Sequence, residues 1–247
     1  MDKKVTDELY KYIFKRKSIR KYEMVSLSED TIAKVNFHLE NLEPLYKDIK
    51  IGYKIVGQEY IKSLLPVKAP HYLVISSEEK EGFLENVGFM FQQMDLHFSS
   101  MGLGSCWLGM ARTNEEIETE LPFVIVMAFG KPKEEIHRET PEFKRNGLSQ
   151  ISSGKDKRIE VVRLAPSSTN SQNWYFAAED GKIHVYRTKL SLLKLRIYEK
   201  MNQIDIGIAI CFLWLSCLNY DKTFDFVRLE HPPERKGFTY VGTVGGR

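Results

Sequence analysis

Residues 165–174 read Ala-Pro-Ser-Ser-Thr-Asn-Ser-Gln-Asn-Trp. This is a dense set of small donors and acceptors that ends in an aromatic residue and enters a β-rich run. Such a loop can wrap a flat polar heterocycle with amide and hydroxyl hydrogen bonds; the plainer reading is a Ser/Asn-rich surface turn. Two other stretches invite comparison with it. Arg16-Lys17-Ser18-Ile19-Arg20 follows a short helical pattern. In an extended backbone alternate side chains share a face, so Arg16, Ser18 and Arg20 can converge on one anion, and arginine grips phosphate in bidentate fashion. The alternative is a solvated cationic run or a nucleic-acid patch. Gly102-Leu103-Gly104-Ser105-Cys106-Trp107-Leu108-Gly109 would let backbone N–H groups approach a ligand closely, or else would only cap the preceding helix.

The bulk properties narrow the classes. The chain has 247 residues, 43% of them hydrophobic and 28% charged, enough to build a core without a disulfide or metal staple. Lys+Arg number 36 and Asp+Glu 33, for a net charge of +3, which argues against a dedicated nucleic-acid binder. Cys106, Cys211 and Cys217 are an odd, irregular set, expected as free thiols in a reducing cytoplasm. The charged N-terminus lacks a secretory pattern. The most apolar run, 204–218, is shorter than a span needs and reads as a buried helix rather than a membrane segment. No phosphate loop, dinucleotide fingerprint or nucleophile elbow is present. The six histidines show no metal-ligand spacing, so no metal site is expected.

Periodicity places helices at 5–14, at 81–101 and at 190–201 followed by 204–218, with another opened by a Ser26/Glu29 capping box and ending near Pro44. A short helix is expected from Thr113. Strands are expected at 71–76, 123–129 and 238–245, and a hairpin at 175–186 turns on Asp180-Gly181. The polar stretch 134–157 reads as a connector. Segments 86–102 and 205–221 align without a gap, Gly88 over Gly207, each followed by a β-rich run: a faint internal repeat.

Together the three motifs resemble those of the FMN-dependent nitroreductase family: an Arg-x-Ser-x-Arg/Lys element after the first helix, a Pro-Ser-x-x-Asn-x-Gln-Pro-Trp loop, and a Gly-Leu-Gly-x-x-Trp-x-Gly loop after the long central helix. The order differs, because the Pro-Ser loop lies far downstream of the Arg element. Ordinary members are homodimers with FMN at the interface, so the resemblance is to a tandem-lobe subgroup in which one fused chain supplies both halves of the site. It implies an α+β fold of two similar lobes, 1–145 and 146–247, forming an intramolecular pseudo-dimer around long central helices. The chain would be a monomeric pseudo-dimer or a further homodimer, cytoplasmic, with neither nucleic acid nor membrane as partner.

By carry-over, Arg16 and Ser18, with Lys144 or Arg145, would hold the FMN phosphate. Arg20 would lie nearer the pyrimidine end of the ring, where a cation favours the reduced state. Lys17 belongs to the same element but points to its opposite face. Trp107, Gly109 and Met110 would meet the ring, the latter two through backbone N–H groups. Pro166, Ser167, Ser168 and Asn170 would close the site from the second lobe. Asn173 stands where the family has proline, which is expected to loosen the loop. The implied activity is electron transfer from NAD(P)H to a nitroaromatic or quinone-type acceptor, with one FMN per chain and no assigned catalytic side chain. Flavin storage without turnover, flavin breakdown and dehalogenation are the alternatives.

Overall fold

Helix α3 shows how local chemistry sets the architecture. It runs Phe83–Ser100 and stops in a Schellman motif. Gly102 takes φ +73°, the Leu103 N–H donates to Phe98 O at 2.8 Å, and the Gly102 N–H donates to Ser99 O at 3.3 Å, which satisfies carbonyls the helix end leaves open. The computed structural model describes residues 2–63, 67–190 and 192–245, with residues 192–197 as backbone.

In chain order the elements are α1 (Lys3–Ile13), α2 (Glu29–Glu40), β1 (Ile51–Val56), β2 (Ile61–Ser63), β3 (His71–Ser77), α3, β4 (Gly104–Leu108), β5 (Ala111–Thr113), β6 (Phe123–Gly130), α4 (Leu148–Ile151), β7 (Ser152–Ser153), β8 (Trp174–Glu179), β9 (Lys182–Thr188), α5 (Leu192–Asn219), β10 (Asp225–Val227) and β11 (Phe238–Gly245). Two sheets carry the fold. One has the order β1-β3-β6-β4; the other has β8-β9-β11-β10, with β7 added beside β8. Every pairing in both four-strand sets is antiparallel. In each set two strands precede a long helix, two follow it, and the last strand sits inside the sheet. The halves therefore share one topology.

The helices α3 and α5 lie against each other at the centre. A Cβ built on Gly88 would stand 2.1 Å from Ile204 O, and one on Gly207 would stand 2.0 Å from Glu85 O. Each glycine meets the other helix's backbone three residues before that helix's own glycine. The same interval along the chain relates the two helix ends. Asp221, at φ +53°, takes the place of Gly102, and the Lys222 N–H donates to Cys217 O at 2.8 Å as Leu103 does to Phe98.

Several expectations are corrected. The helix after Ser26 is capped by Ser28, whose hydroxyl accepts from the Thr31 N–H. Thr113 ends a strand paired with β2, and Asn114 Oδ1 accepts from the Glu116 N–H in a local turn instead of opening a helix. Most of the glycine-rich stretch is strand β4, and only Gly102 serves as a cap. The two helices expected at 190–201 and 204–218 are one, α5, although Ser191 lies outside the described residues. Its Tyr198–Asn219 portion is long and apolar enough to cross a membrane, and 83% of its most apolar window is buried inside the fold.

The crossing generates a stability prediction. Alanine normally stabilises a helix interior by about 1 kcal/mol over glycine. Here its methyl group would strike a backbone carbonyl that no rotamer change can move. Gly88→Ala and Gly207→Ala should each destabilise by about 1–3 kcal/mol and lower Tm by roughly 2–4 °C per kcal/mol, as measured by thermal unfolding.

Candidate functional site

The N-terminal strap reaches the site by lying along β4. The Ile19 N–H donates to Ser105 O at 2.9 Å, and Ser18 bridges Ser105 in parallel register. The strap alternates. Ile19 is fully buried against Gly104, where a Cβ would sit 2.7 Å from its side chain. Arg16 and Ser18 share the other face, with Arg16 Nη2 donating to Ser18 Oγ at 3.1 Å.

Arg16 is only 2% exposed. Its Nε lies 2.8 Å from Oδ2 of the equally buried Asp95 on α3. Asp95 also accepts from Ser105 Oγ at 2.6 Å and from Gln92 Nε2 at 2.7 Å, so the carboxylate is fully engaged. Gln92 Oε1 in turn accepts from the Trp107 indole at 3.4 Å. The pair thus ties strap, helix and strand together.

Two further guanidiniums gather beside Arg16. Arg138 Nε donates to Arg16 O at 3.1 Å, and the Arg138 guanidinium stacks 3.7 Å from the centroid of Phe143. Arg145 donates to Ala165 O at 3.1 Å and to Asn170 Oδ1 at 2.7 Å. Burial pushes both Arg138 and Arg145 down to about 10, and the neighbouring guanidiniums push the same way. Asp95 and Glu142 act on Arg138, but the charges acting on Arg145 are both positive, from Arg138 and Arg16. The cluster therefore carries uncompensated positive charge where the strap meets the Pro-Ser loop.

That loop is strained and held. Thr169, Asn170 and Gln172 adopt φ of +52°, +57° and +50°, a region unfavourable for residues with a Cβ. Ser167 Oγ accepts from the Gln172 N–H at 3.0 Å, Gln172 Oε1 accepts from the Asn146 N–H at 2.8 Å, and Asn170 Nδ2 donates to Lys144 O at 3.0 Å. Asn173 does not loosen the loop: its Nδ2 donates to Asn202 Oδ1 on α5 at 3.1 Å. The Ser168 N–H donates to both carboxylate oxygens of Asp205, each at 3.0 Å. Asp205 is 5% exposed, and burial raises its pKa to about 7, the Ser168 N–H opposing the shift.

One cleft brings the three motifs together. Ser18 and Arg20 line it from the strap, Trp107 and Gly109 from β4 and its end, and Pro166, Ser167, Ser168 and Thr169 from the loop, with Asp205 and Met201 contributed by α5. It opens onto a basin of about 830 Å³ edged by Met110, Lys62, Arg112 and Lys200. Among the expected residues, Lys144 is exposed and contributes its carbonyl, and Lys17, Arg16 and Arg145 are not part of the lining, Arg16 and Arg145 lying behind it. Arg138, Asp95 and Asp205 were not singled out from the sequence. For Asp205 the signal existed: it is a lone acid opening an apolar run, and the gapless alignment sets it over Asn86.

Comparisons with known proteins agree with this architecture. A family model described as "Putative TM nitroreductase" matches residues 8–217. A solved structure of a protein named as a nitroreductase from Thermotoga maritima is 20% identical, covering 96% of this chain and 93% of that one with a TM-score of 0.64, which shows the same fold. A nitroreductase family protein from Clostridium difficile is 15% identical, covering 60% of this chain and 98% of its own, with a TM-score of 0.46. No curated protein matches the chain. With the family model spanning most of the chain and both sheets arranged as described, the chain belongs to the "Putative TM nitroreductase" family and has the α+β nitroreductase-like fold.

Proposed function

We propose that the chain is an FMN-dependent oxidoreductase that takes electrons from NAD(P)H and passes them to nitroaromatic or quinone-type acceptors by a ping-pong mechanism. The observation that carries this reading is the cleft, walled on one side by Ser18, Arg20, Trp107 and Gly109 and on the other by residues 166–169, beside a cation cluster with excess positive charge. The donor set fits FMN. A phosphate dianion would balance the excess positive charge of the cluster, which falls chiefly on Arg145, and no dinucleotide fingerprint is present to hold a second phosphate. Proteins named as an FMN-dependent nitroreductase and as an NADH dehydrogenase/NAD(P)H nitroreductase are among the solved neighbours.

The roles follow from position. Ser18, on the cleft wall, would meet the phosphate, with Arg16, Arg138 and Arg145 supplying positive charge from behind it; Asn170 keeps Arg145 aimed. Arg20 supplies a cation on the cleft wall, favouring negative charge on a ring beside it. Trp107 and the Gly109–Met110 backbone would flank the ring, and Pro166, Ser167 and Ser168 would cover it. FMN, when bound, supplies two-electron chemistry that no side chain here offers. The Met110, Lys62, Arg112 and Lys200 basin would admit donor and acceptor in turn. The reading treats 1–145 and 146–247 as two lobes of a duplicated unit fused into a pseudo-dimer.

One FMN per chain is expected. At the place related to Asp205 and its loop, Asn86 Oδ1 accepts from the Leu45 and Tyr46 N–H groups at 2.8 and 3.0 Å. The loop there carries Leu42, Leu45 and Tyr46 in place of a Ser/Asn run, and Leu42 is buried in the main core. The second half has no Arg-x-Ser-x-Arg element.

Titrating purified protein with FMN, followed by flavin absorbance, should saturate at one per chain, and NAD(P)H should bleach the bound cofactor. Arg138→Ala and Arg145→Ala should each raise Kd by about 10- to 100-fold, from the ~1.5–3 kcal/mol of a charge-assisted hydrogen bond, while Lys17→Ala changes it little. Stoichiometric FAD, two flavins per chain, or no flavin would overturn the reading.

A further inference from the structure

Lys62 and Arg112 stand directly opposite each other across the β2–β5 ladder, where like charges repel and weaken a strand pair. Lys200 joins them from α5, and all three line the basin outside the cleft. Lys200 Nζ and Arg112 Cζ lie over one ring, 5.6 and 5.8 Å from the centroid of Phe123, which holds the two cations side by side. Burial and the Arg112 charge push the Lys200 ammonium below its ordinary value, with Glu79 pulling the other way. Among the described residues none of the three cations is in an ion pair, whereas Lys3, Lys80, Arg158, Arg187 and Arg228 each hold an acid. The described lining of the basin includes no acidic side chain. Three elements distant in the chain thus gather charge of one sign, and the pairing of β2 with β5 does not require it, since the ladder hydrogen bonds belong to the backbone.

Apolar surface lies beside the cations. Met110 and Tyr198, 56% and 38% exposed, line the same basin. Gly109, Ser168, Thr169 and Met201 line basin and cleft alike, so a molecule in the basin faces whatever the cleft holds. We propose that the basin selects anionic substrates: Lys62, Arg112 and Lys200 seat a carboxylate or phosphate of the molecule that exchanges electrons at the cleft, and Met110 and Tyr198 meet its apolar part. An anion between the three cations turns their mutual repulsion into attraction, and a charge-assisted hydrogen bond gives it direction. The inference rests on the oxidoreductase reading above, in which the anion has two sources: a phosphate of the nicotinamide donor, or an acidic substituent on an aromatic acceptor.

Matched acceptors and the donor separate these sources. 4-Nitrobenzoate carries an acid, and 4-nitrobenzyl alcohol has nearly the same shape without the charge. Lys200→Met and Arg112→Gln each remove one repelled cation, so the fold is kept. In the FMN-loaded variants the preference for the acid over the alcohol, as a ratio of kcat/KM, should fall by about 10-fold or more, the effect of losing one charge-assisted hydrogen bond; this result places the anion on the acceptor. A rise of the same size in the NADPH or NADH concentration that gives half-maximal flavin bleaching places it on the donor. Either result supports the proposal. An unchanged acceptor preference together with an unchanged donor requirement overturns it. Loss of FMN in both variants also overturns it, since the cations would then hold the cofactor. Wild type that binds no FMN defeats the oxidoreductase reading instead. Calorimetric titration of that apoprotein with 4-nitrobenzoate and with NADPH then still decides: binding that Lys200→Met weakens supports an anion seat, and binding of neither overturns it.

Discussion

Backbone meets backbone where α3 crosses α5, and everything else is arranged around that contact. Each glycine faces the other helix's carbonyl at a distance that leaves no room for a Cβ. The approach fixes how the two helices sit, and each helix carries its own sheet. It also brings the residues one half-turn earlier, Asn86 and Asp205, under the loops that open the two sheets' first strands. A wider separation of the helices would move Asp205 away from Ser168, and the cleft wall with it. Neither glycine lines the cleft, but Ile204, Asp205 and Ile208 beside the crossing do, so the geometry of the site is set there.

The second constraint is electrostatic. A guanidinium as buried as Arg16 is tolerable only with its partner in place, since breaking a buried pair costs about 3–5 kcal/mol. Asp95 meets that need and, through Ser105 and Gln92, holds β4 and Trp107 in register. This local neutrality leaves the excess on the other two guanidiniums, chiefly Arg145, since Glu142 also acts on Arg138. The strap therefore has a structural task. Its first arginine is chiefly a structural anchor that orders the wall on which Ser18 and Arg20 stand, and the cations with charge to spare come from the segment that reads as a mere connector.

The sequence made much of this legible where the signal is local. The α3 period, the strands at 71–77 and 123–130, the Asp180-Gly181 hairpin and the last strand all follow from spacing and turn chemistry. So do the three stretches that meet in the cleft. What escaped depends on partners distant in the chain. Strand β1, Ile-Gly-Tyr-Lys-Ile-Val, has an interior glycine and is half-buried along most of its length, so no alternation marks it. The Thr113 segment carries helix-start residues but is captured by pairing with β2. Arg138 lies in a charged, broken stretch, and only its folded position beside Arg16 distinguishes it from a solvated arginine.

The deepest information lies in how the halves differ. Both loops are tied to a central helix by N–H groups donated to its side-chain oxygens, but one follows ordinary backbone and carries apolar side chains into the core. The other spends three left-handed residues, each costing on the order of 1 kcal/mol or more, to turn polar groups toward open space. Folding alone gives no return on that strain, because the sister loop achieves the same attachment without it. The strain is held by Arg145, Asn146, Asn202 and Asp205, residues from both the connector and α5. The two halves share one arrangement of strands and helix, relaxed in one loop and strained in the other, so the strained loop is the one whose form answers to more than folding.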